Sequence, residues 1–117
     1  MRHTPLTRNN EFSRVYARGK AYVHPHMVLY VCKNRARRTR VGLTATKKVG
    51  NAVTRNRARR VMRAALCAVL PADAGGVDLV LVARAATPRL KSTQLEETLR
   101  RLCRKAGLLP AADGPGV

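Results

Sequence analysis

The sequence predicts an α+β fold: one small sheet with helices packed on it. Three observations carry this. Met27–Cys32 and Arg40–Thr46 read as strands, the second alternating with Val41, Leu43 and Ala45 on one side and Gly42 and Thr44 on the other. Asp78–Ala83 is nearly all apolar after its first residue, as a strand covered on both faces should be. Between and around these runs stand three segments of helical periodicity, two of them closed by glycine and one by proline.

In chain order, Met1–Arg8 is polar and extended, with Pro5 opposing early helix. Asn9 or Asn10 caps a short helix that ends at Gly19. Phe12, Val15 and Tyr16 share one face of it, as a core stripe, an aromatic ledge, or both. Lys20–His24 forms a short strand interrupted at Pro25. Lys33–Thr39 is a basic loop between the two stronger strands. A long helix runs from Ala52 to about Leu70 and stops before Pro71. Residues 71–77 form a Gly-containing connection. Thr93 and Glu96 suggest a capping box for a last helix, with Leu95, Leu99, Leu102, Cys103 and Ala106 as its buried stripe and Gly107 as its end. Residues 1–109 read as a single domain, and 110–117, with two prolines and two glycines, as a flexible tail.

The long helix carries the most informative stretch of the chain. From Lys47 to Arg63 there are seven cations and no carboxylate. Gly50 supplies a turn and Asn51 an N-cap. At about 100° per residue, Thr54, Ala58, Val61, Met62, Ala65, Ala68 and Val69 fall on one side. Arg55, Asn56, Arg59, Arg60 and Arg63 fall on the other, with Arg57 flanking the apolar stripe. Arginines close to a helix N-terminus oppose its dipole and repel one another, and no acid stands at i+3 or i+4 to relieve them. Local stability does not explain the cluster; an anionic partner does. The free N–H groups of the first turn, with Lys47 and Lys48 before them, add room for a phosphate-sized anion.

The totals agree. The net charge is +18 and the pI about 11.6, an excess that attracts polyanions and that an ordinary soluble enzyme does not need. It is concentrated early: residues 1–63 hold 17 Lys and Arg against Glu11 alone. The four aromatic residues, Phe12, Tyr16, Tyr22 and Tyr30, lie in that same half, where bases could stack on them. Cys32, Cys67 and Cys103 are far apart and odd in number, which fits thiols in a reducing cytosol rather than a disulfide framework or zinc site. Neither a signal peptide nor a membrane-spanning run is expected, so the predicted location is cytoplasmic.

Equally telling is the chemistry that is missing. Glu11, Asp73, Asp78, Glu96, Glu97 and Asp113 are scattered, and no two stand near the basic stretch. That inventory argues against a metal-dependent nuclease. His24 and His26 flank Pro25 without a third metal ligand, and read better as surface histidines near RNA. No Ser or Cys triad and no nucleotide-binding glycine pattern can be assembled. Neither a catalytic residue nor a metal or cofactor is expected on the protein itself.

Lys47-Lys48-Val49-Gly50-Asn51-Ala52-Val53-Thr54-Arg55-Asn56-Arg57-Ala58-Arg59-Arg60 closely resembles the signature of the bacterial ribonuclease P protein subunit. The flanks resemble it too, in the same order: Asn10–Tyr16 with Gly19, Met27–Tyr30, Arg40–Leu43 and Leu81–Arg84. The resemblance spans roughly Leu6–Leu109. It implies an α-β-β-β-α-β-α order with a left-handed β-α-β crossover through the arginine helix, against the usual right hand. It also implies a small partner of a large catalytic RNA that removes the 5′ leader from precursor tRNA. In that family the RNA holds the catalytic magnesium ions and performs hydrolysis.

Carried over by position, Lys47, Lys48, Arg55, Asn56, Arg57, Arg59, Arg60 and Arg63 would face the catalytic RNA. Phe12, Tyr16 and Tyr30 would line the cleft for the single-stranded leader, with Asn56 and Arg84 at its edge. Stacking and guanidinium–phosphate contacts both tolerate sequence, as a subunit that accepts many leaders requires. The competing readings are a structural RNA-binding protein such as a ribosomal protein, a DNA-binding regulator using the arginine helix, and a free-standing nuclease. Neither a membrane nor DNA is expected among the partners.

Overall fold

The computed structural model describes residues 3–70 and 75–109. Part of the expected 71–77 connection and the expected 110–117 tail lie outside the described residues. The elements are β1 (Thr4–Pro5), α1 (Asn9–Arg18), β2 (Lys20–His24), β3 (Met27–Lys33), β4 (Arg40–Thr44), α2 (Ala52–Val69), β5 (Val77–Ala83), a 3₁₀ turn (Thr87–Arg89) and α3 (Ser92–Lys105). The expected α+β order is present, with one addition: β1 pairs in parallel with β4 through Thr4↔Arg40 and Pro5↔Val41. Two residues including a proline give no local strand signal, so this pairing is a product of tertiary contact.

The five strands lie in the order β1-β4-β5-β3-β2. β2 and β3 form an antiparallel hairpin, β3 pairs antiparallel with β5, and β5 pairs in parallel with β4. The apolar β5 is thus the middle strand, and α2 is the crossover that joins it to β4.

Alternation sorts the side chains between two faces. Met27, Leu29, Val41, Leu79 and Leu81 point to one face and pack with Ala58, Met62, Ala65 and Leu66 of α2 and Leu95, Leu99, Leu102 and Cys103 of α3. Val80 and Cys32 point to the other face, where Val15 of α1 and Leu6 cover them. Two expectations about α2 are corrected by this packing. Leu66 is fully buried, whereas Ala68 is exposed, because α3 meets the helix on the Leu66 side. On α3 the expected stripe is present, except that Ala106 falls just past the last turn and is half-buried. Burial among these side chains pushes the Cys103 thiol up to about 12, so it stays protonated and inert.

Helix starts differ from the expected caps. α1 begins after Arg8, not after an asparagine, and the capping group is the Glu11 carboxylate, which accepts from the N–H groups of Thr7 and Arg8 at 3.0 and 2.9 Å. α3 begins after Lys91; Gln94 Oε1 accepts the Lys91 N–H at 2.9 Å, rather than Thr93 pairing with Glu96. In both helices a side-chain acceptor at the third position reaches back over a cationic N-cap. Asn51 does cap α2 as expected, its Oδ1 accepting from Thr54 N–H at 2.9 Å.

Two carboxylates that looked scattered converge on one arginine. The Arg40 fork donates to Asp78 through Nε at 2.8 Å and a terminal nitrogen at 2.7 Å, and its other terminal nitrogen meets Glu11 at 2.9 Å. Asn34 Nδ2 donates to the same Asp78 at 2.6 Å, and Asn34 Oδ1 accepts from Ala36 N–H at 3.0 Å. One network therefore ties the start of α1, β4, β5 and the basic loop together. Asp78 is 1% exposed, a burial tolerable for a carboxylate only with such partners.

Gly42 is where α1 meets the sheet. A Cβ there would lie 2.4 Å from Cε1 of the Phe12 ring, so only glycine lets the ring rest on β4. Gly42→Val is expected to destabilise the fold by about 1–3 kcal/mol through overpacking, read as a lower urea midpoint at unchanged slope. A second expectation concerns acid. The N–H groups of Arg8 and Thr7, and then Arg40, hold the Glu11 carboxyl below its ordinary value of 4.5. Its stabilising contribution is therefore complete above that value and fades as the pH falls below it. Glu11→Gln is expected to flatten the pH dependence of unfolding in that window, read by chemical melts between neutral pH and pH 3.

Candidate nucleic-acid interface

β4 and β5 run in parallel with Thr44 opposite Val82, so whatever follows each strand emerges at the same end of the sheet. After β4 come Lys47 and Lys48, exposed on a turn closed by Val49 N–H to Thr46 O at 3.0 Å. After β5 comes exposed Arg84. The three line one cavity with Val82 and Val49. Gly50, at φ +146°, then turns the chain into α2, a conformation that L side chains rarely adopt.

Along α2, Asn56, Arg57, Arg60 and Arg63 are exposed, and Arg55 and Arg59 are half-buried. Arg59 donates to Asn56 Oδ1 at 2.7 Å. Asn56, Arg59, Arg60 and Arg63 line a groove with Val53, itself an exposed apolar side chain. Asn56 thus shares this groove with the arginines. Among the described residues the ion pairs are Arg40 with Glu11 and Asp78, Arg100 with Glu96, and Arg101 with Glu97. None includes a cation of α2 or of the turn before it. Among the described residues, then, no carboxylate neutralises the guanidiniums of this helix, four of whose polar side chains are open to solvent.

The rings gather on the opposite face of the sheet. A helix about 10 Å across covers about two strand spacings of about 4.8 Å. α1 therefore leaves part of a five-stranded face open. Beside α1, Tyr16 and Tyr30 meet edge to face with centroids 4.9 Å apart. Tyr16 is 41% exposed and its hydroxyl lies 3.4 Å from Thr44 Oγ1. Tyr30 and Phe12 are half-buried against the small cluster of Leu6, Val15, Cys32 and Val80, with Val82 alongside. Phe12 is thus mainly a packing residue at Gly42, and Tyr16 is the open ring. Tyr22 points the other way, into the larger core, with Lys20 Nζ 5.5 Å above its ring. Val82 is shared by the cluster under the rings and the cavity of Lys47, Lys48 and Arg84, which joins ledge and cations.

His24 and His26 are occupied structurally. Their rings sit 4.6 Å apart, His26 N–H donates to His24 Nδ1 at 3.0 Å, and His26 Nδ1 lies 2.7 Å from Thr98 Oγ1. Burial first, and then the nearby His26, Arg101 and Lys105, lower the His24 pKa. Among the described residues, no three His, Cys, Asp or Glu side chains stand close enough to hold a metal ion. The three cysteines form no disulfide, and among the described residues no helix is long and apolar enough to cross a membrane.

A polycationic helix, a turn of two lysines and an open aromatic ledge on one small sheet define a polyanion-binding α+β protein. The sequence pattern of the Ribonuclease P family matches residues 1–107, and the chain belongs to that family. It is 39% identical over 109 residues to the ribonuclease P protein component of Clostridium botulinum (strain Loch Maree / Type A3), covering 92% of this chain and 98% of that one. It is similar to the Staphylococcus aureus RNase P protein at a TM-score of 0.74 and 25% identity, over 89% of this chain and 95% of that structure. The Thermotoga maritima RNase P protein shares the fold at a TM-score of 0.70, over 96% of this chain and all of that one.

Proposed function

We propose that this chain is the protein component of ribonuclease P, working with a catalytic RNA that removes the 5′ leader from precursor tRNA. The observation that carries this reading is the arginine face of α2, which no carboxylate among the described residues neutralises, set in a chain whose family match covers nearly its whole length. Arg55, Asn56, Arg57, Arg59, Arg60 and Arg63, with Lys47 and Lys48, hold the backbone of the catalytic RNA. Planar guanidiniums suit this role, because they grip phosphates in pairs and read little sequence. The fold's crossover through α2 is left-handed in this reading, as the family resemblance implies.

The open ring of Tyr16, with Tyr30 and Phe12 behind it and Arg84 at the end, holds the unpaired leader. An aromatic face accepts any base, at about 1–3 kcal/mol for each stacked contact. Bond cleavage belongs to the RNA and its magnesium ions. The protein raises affinity for leader and metal by screening RNA–RNA repulsion. The four described carboxylates support this division, since Glu11, Asp78, Glu96 and Glu97 are all engaged with arginines of the scaffold. A cytoplasmic location fits three cysteines outside any disulfide.

Reconstitution with a bacterial ribonuclease P RNA at low magnesium tests the whole reading: 5′ processing of precursor tRNA is expected, and its absence would overturn it. Arg57→Ala is expected to lower affinity for the catalytic RNA and to reduce the slope of log affinity against log salt by about one unit. Tyr16→Ala is expected to weaken binding of precursor tRNA roughly tenfold, within the range for a lost stack, and to leave mature tRNA unchanged. Equal loss on both substrates would remove the ring from the leader site.

A further inference from the structure

α2 has a second flank. Arg57 and Arg60 face a groove whose far wall is built by the 3₁₀ turn and the start of α3, with Arg89, Leu90, Lys91 and Ser92. Val61 and Ala64 form an apolar floor. Arg57 and Arg89 also line the adjoining cavity that reaches Lys48 and Gly50. Cations from three separated segments thus border one continuous channel. Among the described residues, neither stretch of lining includes a carboxylate, and the first turn of α3 holds none. The nearest acids along α3, Glu96 and Glu97, are engaged with Arg100 and Arg101.

The far wall is held rigidly. Thr87 is fully buried; its hydroxyl accepts from Arg84 N–H at 2.8 Å and donates to His26 O at 2.5 Å. Pro88 is buried behind it. Gln94 fixes the backbone of Lys91, as described above. Arg89 and Lys91 are themselves exposed. Two long cations held on a fixed backbone, opposite two arginines and with no acid among the described residues lining the groove, form an arrangement costly in self-repulsion unless an anion lies between them.

We propose that this groove is a second contact for the backbone of the catalytic RNA, so that α2 is straddled by RNA, and that Arg89 and Lys91 are RNA-binding residues. The inference rests on the function proposed above. Catalytic RNA is favoured over the leader on two grounds. The groove is continuous with the arginine face through Arg60, which lines both flanks. It also has no aromatic ring in its lining, so it offers phosphate contacts without the aromatic platform that the ledge gives an unpaired strand.

The test uses the full chain and a bacterial ribonuclease P RNA without substrate, with affinity measured across salt concentration. Arg89→Gln with Lys91→Gln is expected to cut the salt slope by about two units, one for each lost phosphate contact. Arg104→Gln with Lys105→Gln, an equal charge loss at the far end of α3, is expected to change it much less. Precursor tRNA is expected to keep its advantage over mature tRNA in the Arg89/Lys91 variant. An unchanged slope, or one matched by the Arg104/Lys105 control, would overturn the inference. So would loss of the precursor advantage with catalytic-RNA binding intact, which would put the leader in the groove. Arg55→Ala separates the two readings: if it lowers the slope while the Arg89/Lys91 pair does not, the groove fails and the proposed function stands. Circular-dichroism melts confirm folding, and should the double variant unfold, Arg89→Gln alone is expected to cut the slope by about one unit, an unchanged slope again overturning the inference.

Discussion

The molecule is governed by a shortage of negative charge and by where that little charge is placed. Against 24 basic residues the chain has six acids. The four within the described residues are all spent on architecture. Glu11 and Asp78 converge on Arg40, and Glu96 and Glu97 pair with Arg100 and Arg101 along α3. The Arg40 network is the tightest of these, bidentate on a buried carboxylate and shared between helix, sheet and loop. Burial of the pair is costly, but removing one partner would strand the other, so the junction is fixed once formed. Because those four sit there, α2 has no carboxylate partner among the described residues. Its stability comes from Ala58, Met62, Ala65 and Leu66 on the core side and from the Asn51 cap, while its outer side is free for charge that helix formation alone would not select.

The sheet faces differ in how completely they are covered, and the function proposed here uses that difference. Two helices seal one face, whereas the single ten-residue α1 spans only part of the other. An uncovered sheet strip ordinarily invites polar side chains. Here it carries Tyr16 and Tyr30, rings with an apolar body and a polar tip. Gly42 makes the arrangement possible: by removing a side chain from β4 it lets Phe12 sink, which brings α1 close enough for Tyr16 to reach Tyr30 and Thr44.

What could be read in the sequence was whatever is local. The extent of α2 was legible because Gly50, Asn51, a long 3.6-residue period and a following proline all agree. β3 and β5 were legible from continuous apolar runs. Three features were not, each because it depends on register or phase. β1 exists only because Thr4 and Pro5 meet the edge of β4. Glu11 and Asp78 looked unrelated until Arg40↔Asp78 pairing across β4 and β5 placed the arginine fork between them. The choice of Leu66 over Ala68 turns on where α3 lies, which a helical period cannot give. Caps were misread for a related reason: Glu11 and Gln94 act by reaching back, so the cap residue itself can be Arg8 or Lys91. At the proposed interface, the arginine face was legible as a pattern, but Arg89 and Lys91 were not. They are lone cations in sequence and acquire neighbours only when the 3₁₀ turn packs against α2.

The connection between the two proposed RNA contacts follows from strand direction. In an open sheet, ligand sites gather beyond the carboxyl ends of parallel strands, where successive loops leave together. β4 and β5 are the parallel pair that flanks the α2 crossover, and their last paired residues are Thr44 and Val82. Lys47 and Lys48 therefore leave beside Arg84, although 35 residues lie between Lys48 and Arg84 in the chain. That end of the sheet is also where its two faces meet. Val82 looks toward the rings, and Lys48 and Val49 continue into the cavity beside α2. A strand of RNA leaving the proposed leader site would thus meet fixed positive charge before reaching the helix. Had β4 and β5 been antiparallel, the turn lysines and Arg84 would stand at opposite ends, and ledge and helix would bind RNA as unrelated patches. The parallel pairing makes them one surface.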